Sequence, residues 1–285
     1  MNAPMDYTTL IDVDTLRRHL DDPRFVIFDC RHDLAKPDWG SEVYATSHLP
    51  HARFAHLDKN LSAAKTGRNG RHPLPDPEGF ARWLGDLGVG PDSQVVGYDS
   101  TGGTYGSRLW WMLRWIGHPR VAVLDGGWDA WQKAGFPVTS DPPRVTPATL
   151  TARVDAQAAV SVTHVEANIK SGECLVIDAR ANDRFRGQNE TIDPVAGHIP
   201  GARNRFFKNN LDNTGRFKSA EALRIEWLDV LGGKSPRAVI NQCGSGVTAC
   251  HNALAMEIAG LTGSRLFAGS WSEWITDPAR PIATD

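Results

Sequence analysis

The sequence is short of long apolar runs, of blocks of like charge and of cysteine. No stretch reaches the roughly 18 consecutive apolar residues that a bilayer span requires, so no membrane association is expected. The opening segment, MNAPMDYTTLIDVDTLRRHL, has neither a basic n-region nor an apolar h-region. No secretory signal is therefore expected, and a cytoplasmic location is. A formal charge of −2 gives no long-range pull toward nucleic acid or anionic lipid, so neither is expected as a partner. The four cysteines are Cys30, Cys174, Cys243 and Cys250. None forms a CxxC pair and no Cys/His cluster has zinc spacing, so no metal and no other cofactor is expected. A chain of this size needs no disulfide staples, and the thiols read as reduced.

What is present is a repetition. VIFDCR (Val26 to Arg31) returns as LVIDAR (Leu175 to Arg180), SHLPHARF (Ser47 to Phe54) as GHIPGARN (Gly197 to Asn204), and LDGGWDAW (Leu124 to Trp131) as FAGSWSEW (Phe267 to Trp274). Three matches in the same order mark two diverged copies of one domain, too long a period for a solenoid. The expected limits are 1–143 for the first domain, 144–155 for a proline-containing linker and 156–285 for the second. Within each copy, short β-branched runs such as RFVIFDC, SQVVGYD, CLVIDAR and RAVINQC read as buried parallel strands. Helical segments fall between them, as in Asp76 to Gly88 and Ser219 to Gly233, the latter with a start signal at Ser219 and a stop at Gly232-Gly233. Alternation of this kind predicts an α/β fold: in each half a mainly parallel sheet flanked by helices, with ligands at the carboxyl ends of strands.

Cys243 stands at such a strand end, in CGSGVTAC just before a helix. Gly244 and Gly246 let the loop curl around one point, and a curled loop entering a helix turns several N–H groups inward. That nest favours negative charge on sulfur, as a thiolate or as a persulfide. Cys250, two helical turns on along the same face, reads as buried, as do Cys30 and Cys174 beside the first strands. At the place matching Cys243 the first copy has Asp99, which cannot carry a transferable sulfur, so the N-terminal domain is expected to be inactive in this chemistry.

The loop resembles the active-site loop of the rhodanese-like sulfurtransferases, and its spelling CGSGVTA is similar to that of the 3-mercaptopyruvate branch. The thiosulfate branch carries a basic Arg-Lys pair where this chain has Gly244-Ser245. The resemblance covers nearly the whole chain, because tandem rhodanese-like domains account for both copies of each motif. It implies two α/β domains, the second catalytic through Cys243, with Gly244, Gly246, Val247 and Thr248 forming the persulfide loop. It also implies a small anionic sulfur donor, 3-mercaptopyruvate or alternatively thiosulfate. The sulfur would pass to a thiol acceptor, such as thioredoxin or a low-molecular-weight thiol, or to cyanide.

Site residues carried by that resemblance are Ser245, Asp58 and His72 for proton handling, and Arg184 in ANDRFRG for the donor carboxylate. Serine two residues past the thiol is close enough to move a proton, and histidine titrates near neutrality. A bidentate guanidinium gives a carboxylate both charge and aim. The second arginine of the family pattern is replaced here by Asp193, and Arg186 or Arg71 is the expected substitute. His198 and the pairs Trp128/Trp131 and Trp271/Trp274 read as loop architecture and core packing, and Asp29 and Asp178 as residues that order loops. Two other functions compete: a phosphatase of related fold, which GSGVTACHN disfavours by lacking a phosphate-binding arginine, and a non-catalytic sulfur carrier or binding module.

Overall fold

The computed structural model describes residues 6–284. It divides into two compact units. The first holds the residues up to 63, with 75–154 and 214–216; the second holds 64–74, 155–213 and 217 onward. The expected α/β fold with a parallel sheet in each half is what the chain adopts.

In the first unit the strands are β1 (Leu10–Ile11), β2 (Phe25–Asp29), β3 (Arg53–Phe54), β4 (Gln94–Tyr98) and β5 (Val121–Leu124), in sheet order β1-β5-β4-β2-β3 and all parallel. Every residue of β2, β4 and β5 is buried, which is why these runs are mostly apolar rather than alternating, with Asp29 and Gln94 at strand ends. Helix Gly106–Trp115 lies directly on β4. A Cβ added to Gly97 would stand 3.3 Å from Leu109 and 3.5 Å from the Gly106 backbone, so two glycines set the approach of helix to sheet. Helix Pro77–Asp86 starts where Asp76 accepts from the Gly79 amide, with proline in the first turn. The 144–155 stretch is tied to this unit up to Val154: Ala148 donates to the Gly85 carbonyl (2.8 Å) and Arg153 to that of Ile116 (2.7 Å).

The second unit contains β6 (Leu175–Asp178), β7 (Arg203–Asn204), β8 (Val239–Gln242) and β9 (Arg265–Leu266), in order β7-β6-β8-β9, again parallel. Helix Ala220–Leu231 is capped by Ser219 and stopped by Gly232 in the left-handed region, as its flanking residues predict. Helix Thr248–Ile258 is buried over most of its length.

The repeated motifs do the same structural work in each unit. Trp128 and Trp131 are buried in one core; Trp271 and Trp274 are fully buried in the other. Each such side chain contributes on the order of 2–3 kcal/mol by leaving water. Trp131 Nε1 donates to the Pro137 carbonyl (2.9 Å) and Trp274 Nε1 to that of Pro281 (3.0 Å). Asp29 binds the Arg31 guanidinium (2.6 Å) and Asp178 that of Arg180 (2.7 Å). Each arginine reaches on to a carbonyl, of Ser47 or Gly197, and lies over a tryptophan ring, Trp128 or Trp271. The paired carboxylates therefore brace the loops after their strands. His48 and His198 repeat one another too, each stacked on an aromatic ring and bonded through Nδ1 to that residue's carbonyl, so His198 serves as loop architecture.

Candidate active site

β8 ends at Gln242, and Cys243 begins a loop that turns straight into helix Thr248–Ile258. Its Sγ accepts hydrogen bonds from the amides of Gly246 (3.1 Å) and Ser245 (3.4 Å). Val247 supplies no side-chain cap to the helix, and Thr248 is its first residue, so side chains leave the loop interior to the backbone donors. Gly246 makes this curl possible: its φ is +77°, and a Cβ there would stand 2.2 Å from the Ala268 carbonyl oxygen. Cys243 itself is 2% exposed.

The turn Gly269 to Trp274 holds the loop from outside. Trp271 donates its amide to the Cys243 carbonyl (3.0 Å) and Ser272 to that of Gly244 (2.9 Å). Ser270 Oγ accepts from the Cys243 amide (3.0 Å) while donating to the Phe267 carbonyl (2.9 Å). Ser270 adopts φ +53°, a conformation that serine rarely takes, and its two hydrogen bonds hold it there. From sequence only the packing of Trp271 and Trp274 is expected of this turn. The available signal lay in the repeat itself, where GGW in the first copy becomes GSW in the second.

Residues 64–74 add the next layer. His72 Nδ1 lies 2.8 Å from Ser245 Oγ, with both side chains buried, a distance across which a proton moves in either direction. The Arg71 amide donates to Ser272 Oγ (3.0 Å), which fixes where this arginine starts. Its guanidinium pairs with Asp193. Asp193 in turn accepts from Arg184 Nη2 (3.2 Å), and Glu190 grips the Arg184 fork through Nε (3.1 Å) and Nη2 (2.8 Å). Burial pushes the Arg71 guanidinium down from its ordinary value, and the nearby Cys243 sulfur acts in the opposite direction. Neither Glu190 nor the bridging position of Asp193 was foreseen; both need contacts that only the folded chain makes.

The structure thus brings together Cys243, its loop residues, Ser245, His72, Arg71 and Arg184. Arg186 is exposed, as the C-cap of the short helix Asn182–Phe185. Asp58 belongs to the first unit. Its amide donates to His56 Nδ1 (3.1 Å) and its carboxylate lies 4.0 Å from His32 Nε2. Those three residues are the group spaced to approach one ion, but the amide on Nδ1 places the His56 proton on Nε2, an arrangement unsuited to ligation through either nitrogen. Of the other thiols, Cys250 is buried and donates to the Gly246 carbonyl (3.2 Å). Cys30 is buried and pushed well up by desolvation, with Asp99 and Asp29 adding to it. Cys174 is partly exposed beside Arg265. Among the described residues no helix is long and apolar enough to cross a membrane.

The chain is similar to proteins of a known family. A family described as "Rhodanese-like domain" matches twice, at residues 12–134 and 161–277. A probable 3-mercaptopyruvate sulfurtransferase of Pseudomonas aeruginosa is 43% identical over 282 residues, covering 98% of this chain and 99% of that one. A thiosulfate sulfurtransferase of Cricetulus griseus is 38% identical over 236 residues, covering 81% of this chain and 78% of its own. Among solved structures, the 3-mercaptopyruvate sulfurtransferase of Leishmania major superposes with a TM-score of 0.83 at 32% identity, covering 96% of this chain and 75% of that one.

Proposed function

The chain belongs to the rhodanese-like family, and from that premise we propose that it is a sulfurtransferase that moves sulfur from 3-mercaptopyruvate through a persulfide on Cys243. The observation that carries this reading is the Cys243 sulfur held by the Gly246 and Ser245 amides beside a proton-passing pair and two guanidinium groups. Relatives named for both donors exist, and the uncharged Gly244-Ser245 pair favours the singly charged one. Thiosulfate is the lesser alternative.

In this mechanism the donor carboxylate meets Arg184 and Arg71; the exposure of Arg186 makes it the weaker candidate. Cys243 Sγ attacks the donor sulfur as a thiolate. An S–S bond forms, the C–S bond breaks, and its electron pair leaves with carbon as the enolate of pyruvate. That enolate takes up one proton to become pyruvate; in this reading the Ser245–His72 pair supplies it, and Asp58 is proposed as a further proton-handling residue. The amide nest then holds the persulfide. A thiol, from a small molecule or from a thioredoxin-like protein, or cyanide attacks the outer sulfur and returns the electron pair to Cys243. A cytoplasmic setting, with no nucleic acid or membrane partner, fits a chemistry that needs reduced thiols. Domain limits of 1–143 and 156–285 remain our proposal, with residues 64–74 grouping with the second unit.

The test compares kcat/KM for the two donors in the wild type and in Cys243→Ser, with mass spectrometry after donor addition. Mercaptopyruvate should be preferred, Cys243 should gain about 32 Da as a persulfide, and the serine variant should lose at least about a thousandfold in turnover. A thiosulfate preference would reverse the donor assignment. Turnover surviving in the serine variant would remove Cys243 as the carrier, and a persulfide formed without turnover would favour a carrier module.

A further inference from the structure

The resemblance leads one to expect an arginine where this chain has Asp193, and that carboxylate is neither exposed nor idle. The Asp193 side chain is 2% exposed and sits between two cations, pairing with Arg71 on one side and with Arg184 Nη2 at 3.2 Å on the other. A buried carboxylate persists only with such partners. Arg184 is fixed at its far edge by Glu190, and Arg71 is fixed at its root by Ser272 Oγ and by Gly70. Gly70 is left-handed at φ +79°, and a Cβ there would lie 2.7 Å from the Gly269 carbonyl oxygen. Both arginines are therefore aimed before any donor arrives.

They are aimed at the residue after the nucleophile. A Cβ on Gly244 would stand 2.8 Å from Arg71 Nη2, 3.6 Å from Asp193 Oδ2 and 3.7 Å from Arg184 Nη2. Gly244 is not in the left-handed region, so here glycine supplies room rather than a turn. An arginine in that loop position and Arg71 in its present place exclude one another, by contact and by charge. The charges also balance: Arg71, Arg180 and Arg184 stand against Asp178, Glu190 and Asp193 through consecutive ion pairs.

We propose that Asp193 is the positioning and donor-selecting residue of this site: it draws Arg71 into the place of the missing second arginine and cancels one positive charge, so that the pocket prefers a monocarboxylate donor to a dianion. This rests on Cys243 being the sulfur carrier. Neutralising Asp193 leaves an uncompensated positive charge beside the thiol, and extending it by one methylene as glutamate keeps the charge.

The experiment uses Asp193→Asn, Asp193→Glu and Arg71→Ala in the full chain, with two charge-sensitive ratios. One is kcat/KM for thiosulfate over that for mercaptopyruvate. The other is the rate of Cys243 alkylation by iodoacetate over that by iodoacetamide, read by peptide mass with Cys174 as internal reference. One unit of charge at this range corresponds to a change on the order of tenfold. Asp193→Asn should raise both ratios by that amount, Asp193→Glu should restore them toward wild type, and Arg71→Ala should lower the alkylation ratio by a similar factor. The kcat/KM ratio is insensitive to the fraction folded, and the alkylation ratio is read on protein whose urea unfolding transition shows it to be folded; if the asparagine variant does not fold at all, the Arg71→Ala alkylation ratio decides alone. Unchanged ratios in variants of an active enzyme overturn the proposal and leave the function standing. A wild type that forms no persulfide overturns the function instead, and the alkylation ratio still reports whether Asp193 sets the charge.

Discussion

The two halves place different atoms at the same point. In the second unit the loop amides of Ser245 and Gly246 face the Cys243 sulfur. In the first, the Asp99 carboxylate accepts from the amides of Thr101 (2.8 Å), Gly103 (3.0 Å), Tyr105 (2.8 Å) and Gly106 (2.9 Å). The outer clamp is shared: Trp128 donates to the Asp99 carbonyl (2.8 Å) as Trp271 does to that of Cys243 (3.0 Å). An anion nest is thus a property of the strand–loop–helix backbone, and chemistry depends on what fills it. A carboxylate seated in its own nest leaves the donors no guest to bind, and the same donors become structural.

That contrast predicts where the largest stability effect lies. Asp99→Ala strands three buried amides, of Gly103, Tyr105 and Gly106, and should destabilise the protein by about 3 kcal/mol or more, since each orphaned donor costs about 1 kcal/mol or above. Asp99→Asn, which keeps one carbonyl oxygen, should lose less. Urea unfolding monitored by tryptophan fluorescence measures both. A loss within about 0.5 kcal/mol for the alanine variant, the range of an ordinary surface change, would mean that the nest does not need its anion.

A smaller effect tests the clamp. Gly127 in the first unit and Ser270 in the second share φ +53°, the former without strain and the latter held by its hydroxyl. Ser270→Ala keeps the left-handed strain and removes both hydrogen bonds, so a cost of about 2 kcal/mol is expected. Ser270→Gly removes strain and bonds together and should cost about 1 kcal/mol or less. Both should slow persulfide formation by loosening the Cys243 amide. If alanine and glycine prove equally stable, backbone strain at this position is not what distinguishes the two turns.

These differences also mark how far the sequence could be read. The buried strands, the duplication, the capped helices at Asp76 and Ser219 and the strand-end position of Cys243 follow from local pattern, because apolar runs, caps and glycine spacing act over a few residues. Ser270 is marked only by setting the two copies side by side, GGW against GSW, because its own neighbours carry no sign of a positive φ. The Arg71–Asp193 pair was missed because its partners are 122 positions apart, a distance at which pattern says nothing about charge pairing. Placing residues 64–74 with the second unit likewise depends on contacts, since KTGRNGRHPLP has no periodicity to declare its partner. Packing roles fared better than polar ones, as the tryptophan pairs and His198 illustrate. Burial follows composition closely, whereas a hydrogen bond depends on exact geometry.

The least of the expected effects separates the units by pH. The helix leaving the Asp99 loop, Gly106–Trp115, runs into His118, whose Nε2 lies 2.9 Å from the Ser93 carbonyl in a buried setting. Burial lowers its proton affinity below the ordinary value near 6.5, against the hydrogen bonds with Ser93 and Arg120. His56, in the same unit, is lowered by burial and then by Lys59. A histidine lowered in the folded state binds its proton more readily when unfolded, so stability is complete above about pH 6.5 and declines as pH falls below it. Hydrogen exchange at β4 and β5 amides should therefore accelerate between about pH 6.5 and 5 relative to the intrinsic rate. His118→Gln, which can still donate to Ser93 but does not titrate, should flatten that slope. A slope unchanged by the substitution would place the acid sensitivity of the first unit elsewhere, with His56 next to be replaced.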